Sequence, residues 1–280
     1  RAKDYALRNS GKTYLEIAKA GGGIWDTVTE TRKATTSSLI EGVKKRADRH
    51  LAHGVTTIEV KSGYGLSVQE ELFPILKKEK LANRIDAFVE EGAFSPVSIA
   101  AYFDNAKAMG FDITVHADQF STVGSDVAVK YKAVSADHLE ASTEKEIQLL
   151  AKSNTVATAL PGASMGLGCS YTPARRLLDA GAALAIASDW NPGSAPMGNL
   201  LVQAAILGTF EKLTNTEVLA GITFRAAAAL NLKDRGTLKT GLLADLIAFP
   251  TDNYQEILYQ QGMMLPSLVC IKGKLVVGNT

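Results

Sequence analysis

The sequence predicts an α/β fold built from parallel βαβ units. Short β-rich apolar runs alternate with amphipathic stretches along most of the chain. The runs are almost continuously apolar, as strands covered by helices on both faces are. Lys61, Tyr64, Glu90, His116, Asp118, His138 and Asp189 all fall at the ends of these runs. Polar groups gathered at C-terminal strand ends suit a (β/α)8 barrel or a doubly wound sheet.

The elements follow in order. Ser37–Gly54 places Leu39, Val43, Ala47 and Leu51 at steps of four, which predicts a helix ended by Gly54. Val55–Val60 reads as a strand leading into Lys61-Ser62-Gly63-Tyr64-Gly65, and Val68–Lys80 as the next helix. Ile85–Glu90, Asp112–His116, Ala133–Asp137, Thr155–Leu160 and Ala182–Ser188 read as five further strands, giving six. Pro96–Met109, Thr122–Tyr131, Glu144–Lys152, Pro173–Ala180 and Met197–Phe210 read as the intervening helices. Thr143 with Glu146 makes a capping box for the third of these. After about residue 234 the pattern changes to short antiparallel strands with a Lys272-Gly273 turn. A barrel-like part over 1–235 and a small β appendage over 236–280 are therefore expected.

Composition removes several function classes. With 46% hydrophobic and 21% charged residues the 280-residue chain can bury a sizeable core, which excludes disorder and a coiled coil. Lys+Arg 30 against Asp+Glu 29 leaves +1, so no global charge recruits nucleic acid or an anionic membrane. Cys169 and Cys270 form no C-x-x-C pair and read as reduced, partly buried thiols. No apolar run reaches the ~18–20 residues of a membrane span, and no signal-like segment opens the chain, so a cytoplasmic location is expected. The chain begins Arg1-Ala2-Lys3 without Met and reads as processed or as part of something longer.

His116, His138 and Asp189 carry the chemistry, because each closes a predicted strand at one common rim. Neutral imidazole with carboxylate suits zinc, and also non-haem iron or manganese. Such a metal lowers the pKa of bound water to near 7. Asp189 has the chemistry both to ligate it and to take a proton, and His138 to stabilise charge on a substrate oxygen. Two protein ligands fall short of the usual three, and the sequence holds no H-x-H. His50 and His53 read instead as surface or C-terminal helix histidines. Gly21-Gly22-Gly23 follows a helix-like stretch rather than a strand, so no dinucleotide site is predicted. Ser62 lies in a glycine-shaped turn without a triad.

Gly236-Thr237-Leu238 with Gly241-Leu242-Leu243-Ala244-Asp245-Leu246 resembles the composite β-domain signature of amidohydrolases. Within them, Gly21-Gly22-Gly23-Ile24, Lys61-Ser62-Gly63-Tyr64-Gly65-Leu66, His116-Ala117-Asp118, Ser135-Ala136-Asp137-His138, Leu160-Pro161-Gly162-Ala163 and Ser188-Asp189-Trp190-Asn191-Pro192-Gly193 resemble the imidazolonepropionase family of histidine degradation. The resemblance implies a (β/α)8 TIM-like barrel of the amidohydrolase type with a small β-sandwich appendage. It implies hydrolysis of the cyclic amide of 4-imidazolone-5-propanoate to N-formimino-L-glutamate, with one divalent metal, zinc or iron. His116 and Asp189 would ligate it, Asp189 would also accept the water proton, and His138 would polarise the carbonyl. Gln119 stands where many members carry glutamate and cannot act as a base. Tyr14, Tyr64, Asn191 and Gly193 would line the substrate pocket, and Arg1 would clamp the propionate.

Two departures accompany it. The family's H-x-H on the first barrel strand has no match, because it would precede Arg1. A third strand with a substrate-site histidine has none either: Lys80 runs directly into Leu81-Ala82-Asn83. Roughly 45 residues, more than one βα unit, would be missing there. The chain would then hold barrel strands two and four to eight, lacking one and three, as an incomplete record of a longer protein. By the same resemblance a homodimer is expected. The alternatives are another metal-dependent amidohydrolase on a small cyclic amide or aminated ring, or a catalytically incomplete relative that binds a small anion.

Overall fold

The structure is a computed structural model and describes residues 1–61, 82–90 and 93–278. The Ser62–Leu66 part of the glycine-rich motif, Tyr64, the helix expected over 68–80 and the Lys80–Leu81 junction lie outside the described residues.

Four helices open the chain: α1 (Ala2–Asn9), α2 (Tyr14–Lys19), α3 (Ile24–Lys33) and α4 (Thr36–Ala52). The hydroxyl of Thr35 accepts from the Ser38 amide and caps α4, and His53 ends it with Gly54 in a left-handed turn.

The core is a parallel sheet of β1 (Arg84–Val89), β2 (Asp112–Ala117), β3 (Ser135–His138), β4 (Val156–Ala159) and β5 (Leu184–Ile186). The strands pair in chain order, each parallel to the next. All five strand ends therefore share one rim. Helices α5 (Ala100–Ala108), α6 (Gly124–Lys130), α7 (Glu144–Ala151), α8 (Pro161–Leu167) and α9 (Ala174–Asp179) fill the crossovers. Along β1 burial alternates: Ile85, Ala87 and Val89 pack into the core, while Arg84, Asp86 and Phe88 face the other side. Phe103, Ile113, Leu139, Ile147, Leu150, Leu177, Leu184 and Ile186 lie in that core. Gly124 opens α6 so close to β2 that a Cβ there would lie 2.4 Å from the Ala117 Cα; only glycine permits that approach.

Helices α10 (Leu200–Phe210), α11 (Asn215–Ile222) and α12 (Phe224–Ala229) follow β5. A three-stranded antiparallel sheet comprises β6 (Leu246–Ala248), β7 (Leu268–Ile271) and β8 (Lys274–Val277), with α13 (Gln255–Tyr259) between β6 and β7. Lys272 and Gly273, at φ 52° and 75°, turn the β7–β8 hairpin, as two left-handed residues do in a type I′ turn.

Three expectations are corrected. Residues 55–60 form no strand, so the sheet has five strands among the described residues rather than six. A strand needs a neighbour for its ladder, and this segment is tied by side chains instead: Arg235 reaches Thr57, and Arg84 reaches Glu59. The helix α8, and α11 to α13, were not expected. His50 is buried rather than on the surface, with its ring edge-on to Trp190 at 4.6 Å between centroids.

Candidate active site

The site occupies the rim where β1, β2, β3 and β5 end. Register sets Phe88 of β1 beside His116 of β2, and His116 beside Asp137 of β3. Asp86, two residues before Phe88, faces the same side, and its Oδ1 lies 2.9 Å from His116 Nδ1. The contact occupies Nδ1 and leaves Nε2 for another partner. The rings of His116 and His138 lie 5.2 Å apart. Lys61 joins the carboxylates beside them. Its ammonium lies 2.8 Å from Asp86 Oδ2, 3.1 Å from Asp137 Oδ2 and 3.9 Å from Glu59 Oε2.

Electrostatics follow from this packing. Loss of water works against the Lys61 charge, but Asp86, Asp137 and Glu59 outweigh it and raise its pKa. Burial would raise Asp86, yet His116 and Lys61 hold it well below the usual carboxylate range. Burial pushes Asp189 up, only partly offset by His138, His116 and Lys61. A carboxylate with raised proton affinity is suited to accept a proton. Burial opposes charge on His138, but Glu140, Asp189 and Asp137 outweigh it and raise its pKa. His138 Nδ1 lies 3.5 Å from Glu140 Oε1, an ion-pair distance without hydrogen-bond geometry. Burial and nearby Glu140 also push the Cys169 thiol up to about 11.

The backbone turns sharply at each of these ends. Asp118, His138 and Asp189 take φ of 50°, 86° and 43°, in the left-handed region. Local bonds hold them there. Asp118 accepts from the Gly124 and Ser125 amides at 2.9 and 3.0 Å and from Ser142 Oγ at 2.8 Å. Thr172 Oγ1 donates to the His138 carbonyl. Asn191 Nδ2 donates to the Asp189 carbonyl at 2.7 Å and to its Oδ2 at 3.1 Å. Asn191 Oδ1 accepts from the Gly193 amide at 2.7 Å and the Ser194 amide at 2.9 Å. Asp118 and Glu90 are thus framework groups: Glu90 accepts from the Phe120 and Ser121 amides at 2.9 and 3.2 Å.

The N-terminal helices close one side. Arg1 Nε donates to Asp4 Oδ2 at 2.8 Å, and Asp4 Oδ2 also accepts the Gly23 amide at 3.0 Å. Arg1 Nη1 lies so near Gly193 that a Cβ there would sit 2.6 Å away. Arg8 Nη2 donates to the Gly193 carbonyl at 2.9 Å. Of the expected site residues, His116, His138 and Asp189 come together, and Arg1, Asn191 and Gly193 adjoin one another. Gln119 is half-buried just past β2, and Tyr14 begins α2. Asp86, Lys61 as a partner of carboxylates, and Glu140 were missed as site residues. An aspartate inside the apolar run Ile85-Asp86-Ala87-Phe88-Val89 was the available signal.

Residues 82–277 match the amidohydrolase family. The imidazolonepropionase of Bdellovibrio bacteriovorus is 34% identical over 323 positions, covering 100% of this chain and 76% of that protein. The chain belongs to the imidazolonepropionase family. A family member from Mesorhizobium japonicum is 37% identical, covering 94% of this chain and 76% of that one. The Bdellovibrio alignment spans 323 positions against 280 residues here, so at least 43 aligned positions of that family member have no counterpart in this chain. Among solved structures, an adenosine deaminase from Xanthomonas campestris with bound zinc superposes with a TM-score of 0.68 at 16% identity, covering 88% of this chain and 71% of that one. A 5-methylcytosine deaminase from Klebsiella pneumoniae gives 0.60 at 20% identity, covering 74% and 59%. The fold is the TIM-barrel type of amidohydrolases.

Structures of that fold bind zinc. His116, with Nδ1 held by a carboxylate and Nε2 without a hydrogen-bond partner among the described residues, has the arrangement of a metal-ligating imidazole. Asp189 lies close enough to His116 and His138 for their charges to act on it. These two residues fit the donor set of a divalent metal. Among the described residues no group of three or more His, Cys, Asp or Glu is arranged to hold one.

Proposed function

We propose that the chain hydrolyses 4-imidazolone-5-propanoate to N-formimino-L-glutamate. The 34% identity to an imidazolonepropionase over 100% of this chain and 76% of that protein is the observation that carries the reading. His116 and Asp189 would hold a divalent metal, zinc or iron. When bound, it would supply an acidified water near neutral pH.

The chain's own groups do the rest. Asp189, its proton affinity raised by burial, takes the proton from the attacking water. The water oxygen bonds to the ring carbonyl carbon, the ring C–N bond breaks, and the proton passes to the leaving nitrogen. His138 donates a hydrogen bond to the carbonyl oxygen as charge builds there. Asn191 fixes the Asp189 carboxylate, and Gln119 offers hydrogen bonds to substrate but no base. Arg1 and the loop at Gly193 would meet the propionate, and the family resemblance assigns Tyr14 and Tyr64 to the same pocket.

The reading extends to architecture. Residues 1–235 would form the barrel part and 236–280 part of a composite β domain, in keeping with the change from parallel to antiparallel pairing after β5. The unmatched alignment positions support the reading that a segment of the family is missing from this chain, which we take to be a βα unit between Lys80 and Leu81. Among the described residues no helix is long and apolar enough to cross a membrane. A cytoplasmic homodimer acting on a small anionic cyclic amide, without nucleic acid, completes the reading.

The test is turnover by zinc- or iron-loaded protein, following loss of the imidazolone chromophore and N-formimino-L-glutamate by mass spectrometry. Product formation supports the reading. An unchanged imidazolone with hydrolysis of another cyclic amide refutes it.

A further inference from the structure

We propose that Lys61 is a positioning residue for His116. The inference rests on the reading of His116 as a metal ligand. His116 stands on β2, the middle strand of three, with Asp86 on β1 to one side and Asp137 on β3 to the other. The Lys61 ammonium bridges those flanking carboxylates, at 2.8 Å to Asp86 Oδ2 and 3.1 Å to Asp137 Oδ2. The second oxygen of Asp86 meets His116 Nδ1 at 2.9 Å. Asp86 is thus gripped at both oxygens, by the ammonium at one and the imidazole at the other. With Oδ2 anchored, Oδ1 has one direction left, and it fixes both the plane and the tautomer of the ring: Nδ1 carries the proton and Nε2 is left for a ligand.

A lysine that merely neutralised crowded carboxylates would need no such geometry. The two roles predict opposite signs for metal binding. Removing a positive charge beside a cation site strengthens binding by simple electrostatics. Removing a group that orients the ligand weakens it, by about 10–100-fold for an outer-shell partner of a metal-bound histidine.

The experiment compares Lys61→Met, Lys61→Gln and Lys61→Arg with the parent chain. Zinc affinity is measured by chelator competition, and the His116 tautomer by ¹⁵N NMR of metal-free protein. The expected result is at least a ten-fold loss of zinc affinity in Lys61→Met and Lys61→Gln, with a second tautomer of His116 appearing. Lys61→Arg restores both, and in Lys61→Met and Lys61→Gln kcat falls more than KM rises. Unchanged or tighter zinc binding with a single tautomer overturns the proposal. Lys61→Gln, polar and uncharged, serves if Lys61→Met does not fold. Failure of the parent chain to bind zinc refutes the metal reading instead, while the tautomer measurement still decides the role of Lys61.

Discussion

Asn191 holds Asp189 at two points, its Nδ2 2.7 Å from the Asp189 carbonyl and 3.1 Å from Oδ2. One amide thereby sets both the left-handed backbone and the carboxylate direction. With Asp189 as the proposed proton acceptor, Asn191→Ala should lower kcat by about 10²-fold, the cost of a misplacement of about an ångström. Steady-state kinetics with a thermal melt checks this; an unchanged kcat in folded protein contradicts it.

Gly193 abuts the Arg1 guanidinium. In Gly193→Ala the new methyl would meet Arg1 Nη1 at 2.6 Å, and the flexible end of the arginine gives way first. KM for the anionic substrate should rise with little change in melting temperature. A neutral analogue lacking the propionate should show no such difference between the two chains.

Asp118 gathers two amides and two hydroxyls at the start of α6 and beyond β3. Asp118→Ala strands these buried donors and should cost about 3 kcal/mol. Urea unfolding followed by circular dichroism measures it.

His50 gives a pH dependence with a definite sign. Burial first, then Arg49 and His53, lowers its pKa below the ordinary 6.5. The folded state thus resists protonation that the unfolded chain accepts. Stability from this group is complete above 6.5 and declines as pH falls toward the folded pKa. His50→Phe keeps a ring against Trp190 and removes the titration. Unfolding free energies measured from pH 7 to 5.5 should fall less steeply in the variant.

The Cys169 thiol, pushed up to about 11 by burial and Glu140, should resist alkylation at pH 8 in folded protein. Iodoacetamide labelling located by peptide mass spectrometry should show it modified rapidly only after unfolding.

The parallel strands were legible because β-branched and apolar runs end in turn residues. Predicted and observed bounds for β1 differ by a single residue at each end. Val55–Val60 has the same composition, yet propensity describes a surface that fits a sheet, not whether a neighbour is present. Leu160-Pro161-Gly162 belongs to a helix start, because proline at the first turn loses no hydrogen bond and Gln203 accepts the Gly162 amide at 3.2 Å. His116, His138 and Asp189 were visible as polar residues ending apolar runs. The pairing of Lys61 with Asp86 and Asp137 was not, because those contacts join residues far apart in the chain that only the folded sheet brings together.

The left-handed turns at Asp118, His138 and Asp189 narrow what variation can do at this rim. Asp, Asn, His and Gly tolerate that backbone, whereas Val, Ile and Thr do not. Exchanging one of these residues for a β-branched one would therefore alter the path of the chain along with the chemistry. A library aimed at new substrates would be filtered first by backbone compatibility at these three positions, and freedom to change would lie in the surrounding loops.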